Sequence, residues 1–341
     1  MYKRQVLIFV SALLLVLGAT PLMRRLATRL GMVDQPDGRR VHLAPVPRLG
    51  GVAIYAGFIL ALVVFGGEWV VSQAVSILVG ATLVSFLGIW DDRWGVRPVL
   101  KLLGQAVAAT ILIVSGVQVA FLPSPILNVA VTLLWILGIT NALNLLDNMD
   151  GLSGGVGAVA AAFFLLLAAW NGQYLVASLS AALLGVCVGF LVHNFNPATI
   201  FMGDAGSMFL GFVLAAVGIK LRFPGRPDTI TWMIPVVVLS LPIFDTTLVV
   251  VSRLRRGINP LTNPGRDHVS HRLVSLGLSQ RQAVVLLYAV CGGLGIVGLL
   301  IMHSSLVPAY ALGGAVLVAG IVGLVLLERV ALGGGCDGPG A

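Results

Sequence analysis

Two neighbouring stretches of the chain lack any Asp, Glu, Lys or Arg: residues 152–170 read LSGGVGAVAAAFFLLLAAW, and residues 174–192 read YLVASLSAALLGVCVGFLV. A helix that crosses a bilayer needs about 20 mostly apolar residues. Each stretch is therefore predicted to be a membrane-spanning helix. Stretches of the same kind recur on both sides, at about residues 5–20, 50–66, 70–90, 102–120, 127–146, 206–221, 230–251, 282–301 and 306–327.

The composition of the whole chain favours the same fold. Of its 341 residues, 58% are hydrophobic and 10% are charged, whereas soluble domains carry roughly 25% charged residues. So few charges cannot cover a water-facing surface of this size. The sequence therefore predicts an all-α, polytopic membrane helix bundle of about 11 transmembrane helices. A single transmembrane domain is predicted over residues 1–330, followed by a disordered tail over residues 331–341.

Lys and Arg indicate the orientation of the bundle, because they are enriched in cytosolic loops. Most of the 21 Lys and Arg residues fall between alternate spans, which predicts an N-terminus outside and a C-terminus inside. The net charge of +8 is explained by this asymmetry without nucleic acid, because no basic tract is interleaved with aromatic residues. The loops predicted to lie inside are 21–49, 91–101, 147–151, 193–205 and 252–281.

Acidic residues collect at the same predicted face. Most of the 13 Asp and Glu residues lie in the inside loops or at their edges. Asp245 lies within a predicted span, in its cytosolic half, and a carboxylate at that depth usually faces a bundle interior or a wet cavity. Polar chemistry is thus predicted at one face, as an enzyme that works at the membrane surface requires.

Asp91 and Asp92 follow an apolar run directly. Adjacent carboxylates repel each other, so one keeps a raised pKa unless a cation compensates. The pair is consistent with an anionic site for a metal, a base, or both. The alternative is a helix end with a solvated acidic turn.

A stripe of amide and carboxylate residues marks the end of another predicted span. At 100° per residue, its members occupy an arc of about 120° on one helix face, and such a stripe cannot face lipid cheaply. Hydrogen bonding between helices is the alternative to a binding site, but a second Asp, Asp150, lies at the same helix end and favours the site. The stripe consists of Asn141, Asn144, Asp147 and Asn148.

Asp204 lies between Gly203 and Gly206, just before an apolar run. A helix that begins near Gly206 would aim free N–H groups at an anion such as phosphate. In the alternative interpretation, Asp204 only caps that helix. The sequence does not decide between the two.

Two basic segments complete the set of candidate residues. His268, His271 and Arg272 lie close together in the last inside loop and suit a pyrophosphate. His-x-x-His also occurs in zinc sites, although no Cys or third His lies near in sequence. Arg39, His42 and Arg48 lie in the first inside loop, where they either hold a lipid phosphate or only anchor the topology.

Taken in order, these motifs resemble the polyprenyl-phosphate N-acetylhexosamine-1-phosphate transferases of glycosyltransferase family 4. Members of this family start teichoic acid linkage units and O-antigen, and one branch makes the first lipid intermediate of peptidoglycan. The resemblance covers nearly the whole chain. Its motifs here are Asp91-Asp92, Asn141-x-x-Asn144-x-x-Asp147-x-x-Asp150-Gly151, Gly203-Asp204-x-Gly206-Ser207 and His268-x-x-His271-Arg272.

The resemblance implies a role for each motif. Asp204 would be the principal Mg²⁺ ligand, and Asp91 and Asp92 would serve the lipid phosphate as base or as metal support, with Asp92 as the second metal ligand. His268 would complete the catalytic set. Substrate-binding roles are implied for Asn141, Asn144, Asp147, Asp150, His271, Arg272, Arg39, His42 and Arg48.

The resemblance also implies the reaction and its setting. A sugar-1-phosphate, with N-acetylglucosamine favoured, would pass from a UDP-sugar to undecaprenyl phosphate and release UMP, with Mg²⁺ or Mn²⁺ as cofactor. The partners would be these two substrates and membrane lipids, with no nucleic acid, and a homodimer is left open. The expected location is the bacterial inner membrane, as a multi-pass protein with its active site on the cytosolic face.

Two departures bear on the branch of the family. Asn148 stands where a glycine is usual, and Ser270 stands where many members carry another histidine. The missing three-histidine run argues against a MurNAc-pentapeptide substrate and for the branch that uses smaller sugars. A transporter of nucleotide sugars or lipid-linked sugars, and a membrane zinc enzyme, are the alternative classes.

Overall fold

The computed structural model describes residues 2–34, 45–66, 72–260 and 265–330. Arg39, His42 and the predicted tail at 331–341 lie outside these residues. The described chain is helical apart from two short antiparallel strands, β1 (Val33–Asp34) and β2 (Val46–Pro47). The helices are α1 (Tyr2–Leu30), α2 (Gly50–Phe65), α3 (Ser72–Trp94), α4 (Pro98–Val114), α5 (Pro125–Leu146), α6 (Leu152–Trp170), α7 (Tyr174–Asn194), α8 (Gly203–Lys220), α9 (Asp228–Thr231), α10 (Met233–Val238), α11 (Ser240–Arg255), α12 (Val269–Ser275), α13 (Gln280–His303) and α14 (Leu306–Glu328).

The helix lengths confirm an all-α membrane bundle. In the described part of the chain, eight helices are long and apolar enough to cross a membrane. The segment from α9 to α11 forms one further candidate span with a bend of 69°, and α2 and α4 are shorter apolar helices. Each coincides with one of the predicted stretches. The chain is therefore a multi-pass membrane protein.

Several predicted boundaries are wrong, and at α1, α3 and α4 a helix extends into a predicted loop. Helix α1 continues through Pro21 to Leu30, so that part of the predicted loop 21–49 is helical. Helix α3 includes Asp91 and Asp92, and α4 already begins at Pro98. Hydropathy marks where a helix leaves the apolar layer, whereas the backbone hydrogen bonds of the helix continue into the polar region.

Helix α8 lies at the centre of the bundle. It contacts α2, α3, α5, α6 and α7, and every residue from Ala205 to Ile219 is buried. A helix that is apolar on all sides belongs in such an interior position. Helix α14 is its opposite, because Ala309 is its one buried residue and most of its other residues are exposed.

Two glycines allow α2 and α3 to approach the beginning of α8. A Cβ atom added to Gly51 would lie 2.2 Å from the backbone nitrogen of Gly206, and one added to Gly88 would lie 2.5 Å from Cα of Ala205. The Gly51 N–H also donates to the carbonyl of Met202 at 2.8 Å. The first turn of α8, which carries Asp204, is therefore held in backbone contact on two sides.

Candidate active site

The ammonium group of Lys101 lies at the centre of a polar cluster. Its Nζ donates to Asp91 Oδ2 at 2.7 Å, to Asn144 Oδ1 at 3.2 Å, and to Asp204 Oδ2. These groups come from the end of α3, the beginning of α4, the end of α5 and the beginning of α8. Four helix ends therefore meet around one cation at one end of the bundle.

Asp204 is held in this cluster by neighbours on both α5 and α8. Asn144 Nδ2 lies 2.8 Å from Asp204 Oδ1 and 3.0 Å from the hydroxyl oxygen of Ser207. Ser207 in turn donates to the carbonyl of Gly203 at 3.0 Å. A carboxylate in the first turn of a helix is also favoured by the helix dipole. The Asp204 side chain is thus oriented before any ligand binds.

The two adjacent acids of α3 have different surroundings. Asp91 accepts from Lys101 and from the N–H of Val96 at 2.6 Å. Asp92 instead accepts from the backbone N–H groups of Asp204 and Ala205, at 3.0 and 3.1 Å. Asp91 therefore belongs to the charged cluster, whereas Asp92 satisfies the free donors at the beginning of α8.

These bonds correct both interpretations of the segment around Asp204. Helix α8 begins at Gly203, and its N-cap residue Met202 provides no side-chain cap. The cap is supplied by Asp92 from α3, so Asp204 does not cap its own helix. The backbone N–H groups at the beginning of α8 are predicted to face a substrate phosphate. Two of them, those of Asp204 and Ala205, instead donate to the carboxylate of Asp92.

The residues of the predicted polar stripe have different hydrogen-bond partners. Asn141 forms a reciprocal amide pair with Gln105 of α4, in which Asn141 Nδ2 lies 2.6 Å from Gln105 Oε1. This contact is the helix-to-helix bonding that was the alternative interpretation. Asn144 joins the charged cluster, and Asn148 accepts from the Ser270 hydroxyl at 2.6 Å.

Asp147 and Asp150 follow the end of α5 and differ in their partners. Asp150 Oδ2 accepts from Asn196 Nδ2 at 3.0 Å and from the N–H of Ala198 at 2.9 Å, which ties the two loops together. The carboxyl group of Asp147 makes no hydrogen bond to another described residue. Burial, followed by the charges of Asp204 and Asp92, raises the pKa of Asp147 to about 8.

The histidine segment is anchored to the bundle interior. The carboxylate of Asp245, on α11, contacts His268 Nδ1 at 2.8 Å and accepts the N–H of Val269 at 2.7 Å. The rings of His268 and His271 meet edge to face, with centroids 6.2 Å apart. Burial, followed by the charges of His268 and Arg266, lowers the pKa of His271 to about 4. The prediction that Asp245 faces the interior is confirmed.

Arg272 is turned away from the carboxylate cluster. Its guanidinium donates to the carbonyls of Asp267 and Leu327, at 3.1 and 2.5 Å, and to Ser252 and Glu328, both at 2.8 Å. The residue is 1% exposed. A phosphate would have to displace these partners to reach Arg272. The contact of Arg272 with substrate therefore stays a prediction.

Arg48 lies near the acids of the site. Its guanidinium is paired with Asp34. It is also close enough for its positive charge to attract the carboxylates of Asp92 and Asp147. Arg39 and His42, the other two residues predicted from this loop, lie outside the described residues. Arg48 is therefore the member of the group that the structure places beside the site.

Lys101 is the main site residue that the sequence analysis missed. The prediction counted it only as a positive charge that sets topology. A more specific signal was available, because a lysine in the first turn of an otherwise apolar helix needs an anionic partner when that turn is buried. The pairing of Asp245 with His268, 23 residues apart, could not be inferred from spacing.

The oxygen atoms of the cluster suit a hard cation. Carboxylate and amide oxygens converge from Asp91, Asn144 and Asp204, and Mg²⁺ binds through one or two carboxylates together with phosphate oxygens and water. Within the described residues, no three His, Cys, Asp or Glu side chains approach closely enough to hold an ion by themselves. A cation here would therefore share its coordination with a phosphate ligand.

Comparison with known proteins relates this site to a group of membrane transferases. Residues 74–222 match the family model described as glycosyl transferase family 4, and this segment contains Asp91, Lys101, Asn144 and Asp204. The chain is 35% identical over 296 residues to the probable undecaprenyl-phosphate N-acetylglucosaminyl 1-phosphate transferase of Bacillus subtilis (strain 168), covering 84% of this chain and 82% of that relative.

Two further relatives are similar over most of their length. The decaprenyl-phosphate N-acetylglucosaminephosphotransferase of Mycolicibacterium smegmatis is 34% identical over 360 residues, which is 95% of this chain and 88% of the relative. The undecaprenyl-phosphate alpha-N-acetylglucosaminyl 1-phosphate transferase of Escherichia coli (strain K12) is 26% identical over 307 residues, with 85% and 82% covered. Members of this group generally depend on a divalent metal.

Proposed function

Because the chain belongs to glycosyl transferase family 4, we propose that it transfers N-acetylglucosamine-1-phosphate from UDP-N-acetylglucosamine to undecaprenyl phosphate and releases UMP. The names of relatives that match along most of the chain support this reaction, and they exclude the transporter interpretation. The observation that carries the proposal is the partly buried Lys101 cation, held between Asp91, Asn144 and Asp204 at one end of the bundle.

The reaction joins two anions, and the site's charges suit that task. An oxygen of the lipid phosphate forms a bond to the β-phosphorus of the UDP-sugar, and the bond from that phosphorus to the bridging oxygen breaks as UMP leaves. The attacking phosphate has a second pKa near 6, so it needs little help from a base. Asp91 therefore acts through position and charge more than through proton removal.

The chain's own residues supply most of this environment. Asp204 and Asp91, with Asp92 as support, would hold Mg²⁺, which neutralises pyrophosphate charge when it is bound. Asp92 also fixes the helix that carries Asp204 through two backbone bonds. Lys101 offsets the charge of the acids, and His268 and His271 would contact the sugar phosphate. Asp147 and Asp150 lie beside the cluster, where a nucleotide sugar would bind.

The location follows from the distribution of charge around the site. Arg93 donates to the carbonyl of Leu30 at 2.9 Å, so the end of α1, with Arg24, Arg25 and Arg29, lies at the same face as the cluster. Lys220 contacts Gln73 at the other end of α3 and α8. The excess of arginine at the site's face supports a cytosolic active site in the bacterial inner membrane.

The proposed reaction is tested by measuring UMP release from purified protein with undecaprenyl phosphate, Mg²⁺ and a panel of UDP-sugars. Release should require the lipid phosphate, the metal and UDP-N-acetylglucosamine, and it should stop when EDTA is added. Asp204→Asn is the matched inactive control. Release with another UDP-sugar would correct the donor, and no release by a folded sample would contradict the proposed reaction.

A further inference from the structure

We propose that Asp245 is a positioning residue for His268, which fixes the imidazole ring and keeps a proton on Nδ1. Nε2 is then the ring nitrogen that remains for a substrate phosphate. This inference rests on the proposed function, since it assigns a partner to a histidine of that site. It concerns a residue of α11 that none of the motifs from the sequence analysis includes.

Asp245 is buried in the interior of the bundle. Its side chain is 0% exposed, and an ionised carboxylate in an apolar interior is costly unless it is paired and hydrogen-bonded. Among the described residues, its ion-pair partner is His268. The carboxylate is therefore retained in the interior together with the ring that it binds.

Asp245 binds a single short segment with both of its carboxylate oxygens. Oδ2 contacts the His268 ring at 2.8 Å, and Oδ1 accepts the N–H of Val269 at 2.7 Å. One side chain thus fixes both the imidazole and the backbone that carries it. Ser270 extends the attachment to the end of α5 through its bond to Asn148 at 2.6 Å, directly after Asp147.

The chemistry of the two partners then determines the tautomer. An ionised carboxylate only accepts hydrogen bonds, so Nδ1 of His268 must carry the hydrogen. In the neutral ring, Nε2 therefore has a free lone pair, and in the protonated ring Nε2 donates to a phosphate oxygen. In the neutral ring, the hydrogen bond of Nδ1 to the carboxylate thus determines that Nε2 accepts rather than donates.

The tautomer can be measured directly by ¹⁵N NMR of histidine-labelled protein in nanodiscs. The chain has five histidines, and the His268 signal is identified by its loss in His268→Gln. We expect Nδ1 to carry hydrogen, in the neutral and in the protonated ring alike. A neutral ring with hydrogen on Nε2 would overturn the proposal, and this measurement needs no change at Asp245.

Asp245→Asn tests whether the tautomer matters for turnover. Its carboxamide oxygen can still accept from Val269, but its NH₂ group must then donate to Nδ1, which moves the hydrogen to Nε2. We expect this inverted tautomer in the NMR spectrum and a loss of turnover on the order of 10–100-fold, the range known for carboxylates that orient metal-binding histidines. Normal turnover with an inverted tautomer would contradict the positioning role.

A double variant separates this inference from the proposed function. Asp245→Asn combined with His268→Gln should be no slower than His268→Gln alone, because residues that act as a unit are not additive. If His268→Gln retains full activity, the proposed role of the histidine in the reaction fails, whatever its tautomer. Asp228→Asn, at an exposed position in α9, is the control and should match the unchanged protein in both measurements.

Discussion

Lys101 shows how a single residue determines the electrostatics of the site. Three oxygen atoms from three other helices surround its ammonium group, and the side chain is 14% exposed. Without this cation, Asp91 and Asp204 would face each other as uncompensated carboxylates. The lysine therefore allows two acids to remain charged in the interior, ready for a metal and a phosphate.

Lys101→Met should lower both turnover and stability. Removing the ammonium group leaves two partly buried carboxylates without their charged hydrogen bond, which costs about 1.5–3 kcal/mol and reduces turnover at least roughly tenfold. UMP release and thermal unfolding in detergent measure the two effects. Lys220→Met, which removes a lysine at the other end of α8, is the control. Normal turnover in Lys101→Met would show that Lys101 has no role in the reaction.

Asp91→Asn and Asp92→Asn should have distinguishable effects. Asp91→Asn leaves Lys101 paired with Asp204 and still offers an amide oxygen to the N–H of Val96, so turnover should fall while thermal unfolding changes little. Asp92 accepts two backbone bonds of α8, so its amide variant places a donor against a donor and should lower stability by about 1 kcal/mol as well as turnover. Thermal unfolding measured beside UMP release separates the two. Equal stability losses in both variants would contradict the assignment.

His271 should make the folded protein sensitive to acid. Its pKa is about 4 in the folded state, against about 6.5 in an unfolded chain. Between these values the unfolded chain binds more protons, so stability is complete above about pH 6.5 and is lost as the pH falls toward 4. Thermal unfolding of His271→Asn should therefore fall less steeply over this range. His303→Asn, an exposed histidine in α13, should retain the original slope.

At the scale of elements, the position of the site depends on the close approach of α2 and α3 to α8. Gly51 and Gly88 contact the backbone of α8 rather than flexible side chains. The neighbouring atoms therefore cannot move aside without moving the helix itself. Since Asp204 lies in that first turn, the packing of three helices fixes the geometry of a residue that we propose to be catalytic.

Gly51→Ala should displace the first turn of α8. The added Cβ would lie 2.2 Å from the Gly206 nitrogen, and overpacking of this kind costs about 1–3 kcal/mol. We expect lower thermal stability together with a loss of turnover larger than the stability loss explains. Gly138→Ala in α5, where nothing lies within 4 Å of the added atom, is the matched control. Full activity in Gly51→Ala would show that the site tolerates movement of α8.

At the scale of the whole molecule, the end of α14 is fastened to the histidine segment. Arg272 binds both the carbonyl of Leu327 and the carboxylate of Glu328. Most of the other residues of α14 are exposed. The peripheral helix and the segment that carries His268 are therefore linked through one buried guanidinium.

Glu328→Gln should weaken this link. The buried Arg272 charge would lose its ion-pair partner. This loss costs on the order of 3–5 kcal/mol, because the guanidinium charge stays buried without compensation. Thermal unfolding should shift downward, and turnover should fall because the segment that carries His268 is less firmly held. Arg329→Gln, one residue further and exposed, should change neither. An unchanged unfolding temperature in Glu328→Gln would show that the contact contributes nothing.

The sequence by itself determined the class of fold and predicted many residues of the candidate site. Bilayer hydrocarbon requires long apolar helices with satisfied backbone bonds, and that requirement is visible residue by residue in the hydropathy pattern. It also predicted that Asp91, Asn144 and Asp204 would collect at one face, because helices of alternating direction bring their ends together. The family resemblance then identified the chemistry.

Only the tertiary structure decided what each of these residues contacts. Sequence could not distinguish Asp91 from Asp92, since neighbours on a helix point in directions 100° apart and meet different partners. The sequence likewise does not predict that Asp245 contacts His268 or that Arg272 pairs with Glu328. Compatibility with lipid is a local property of a segment, whereas a hydrogen bond depends on the distance between atoms that packing brings together from separate helices.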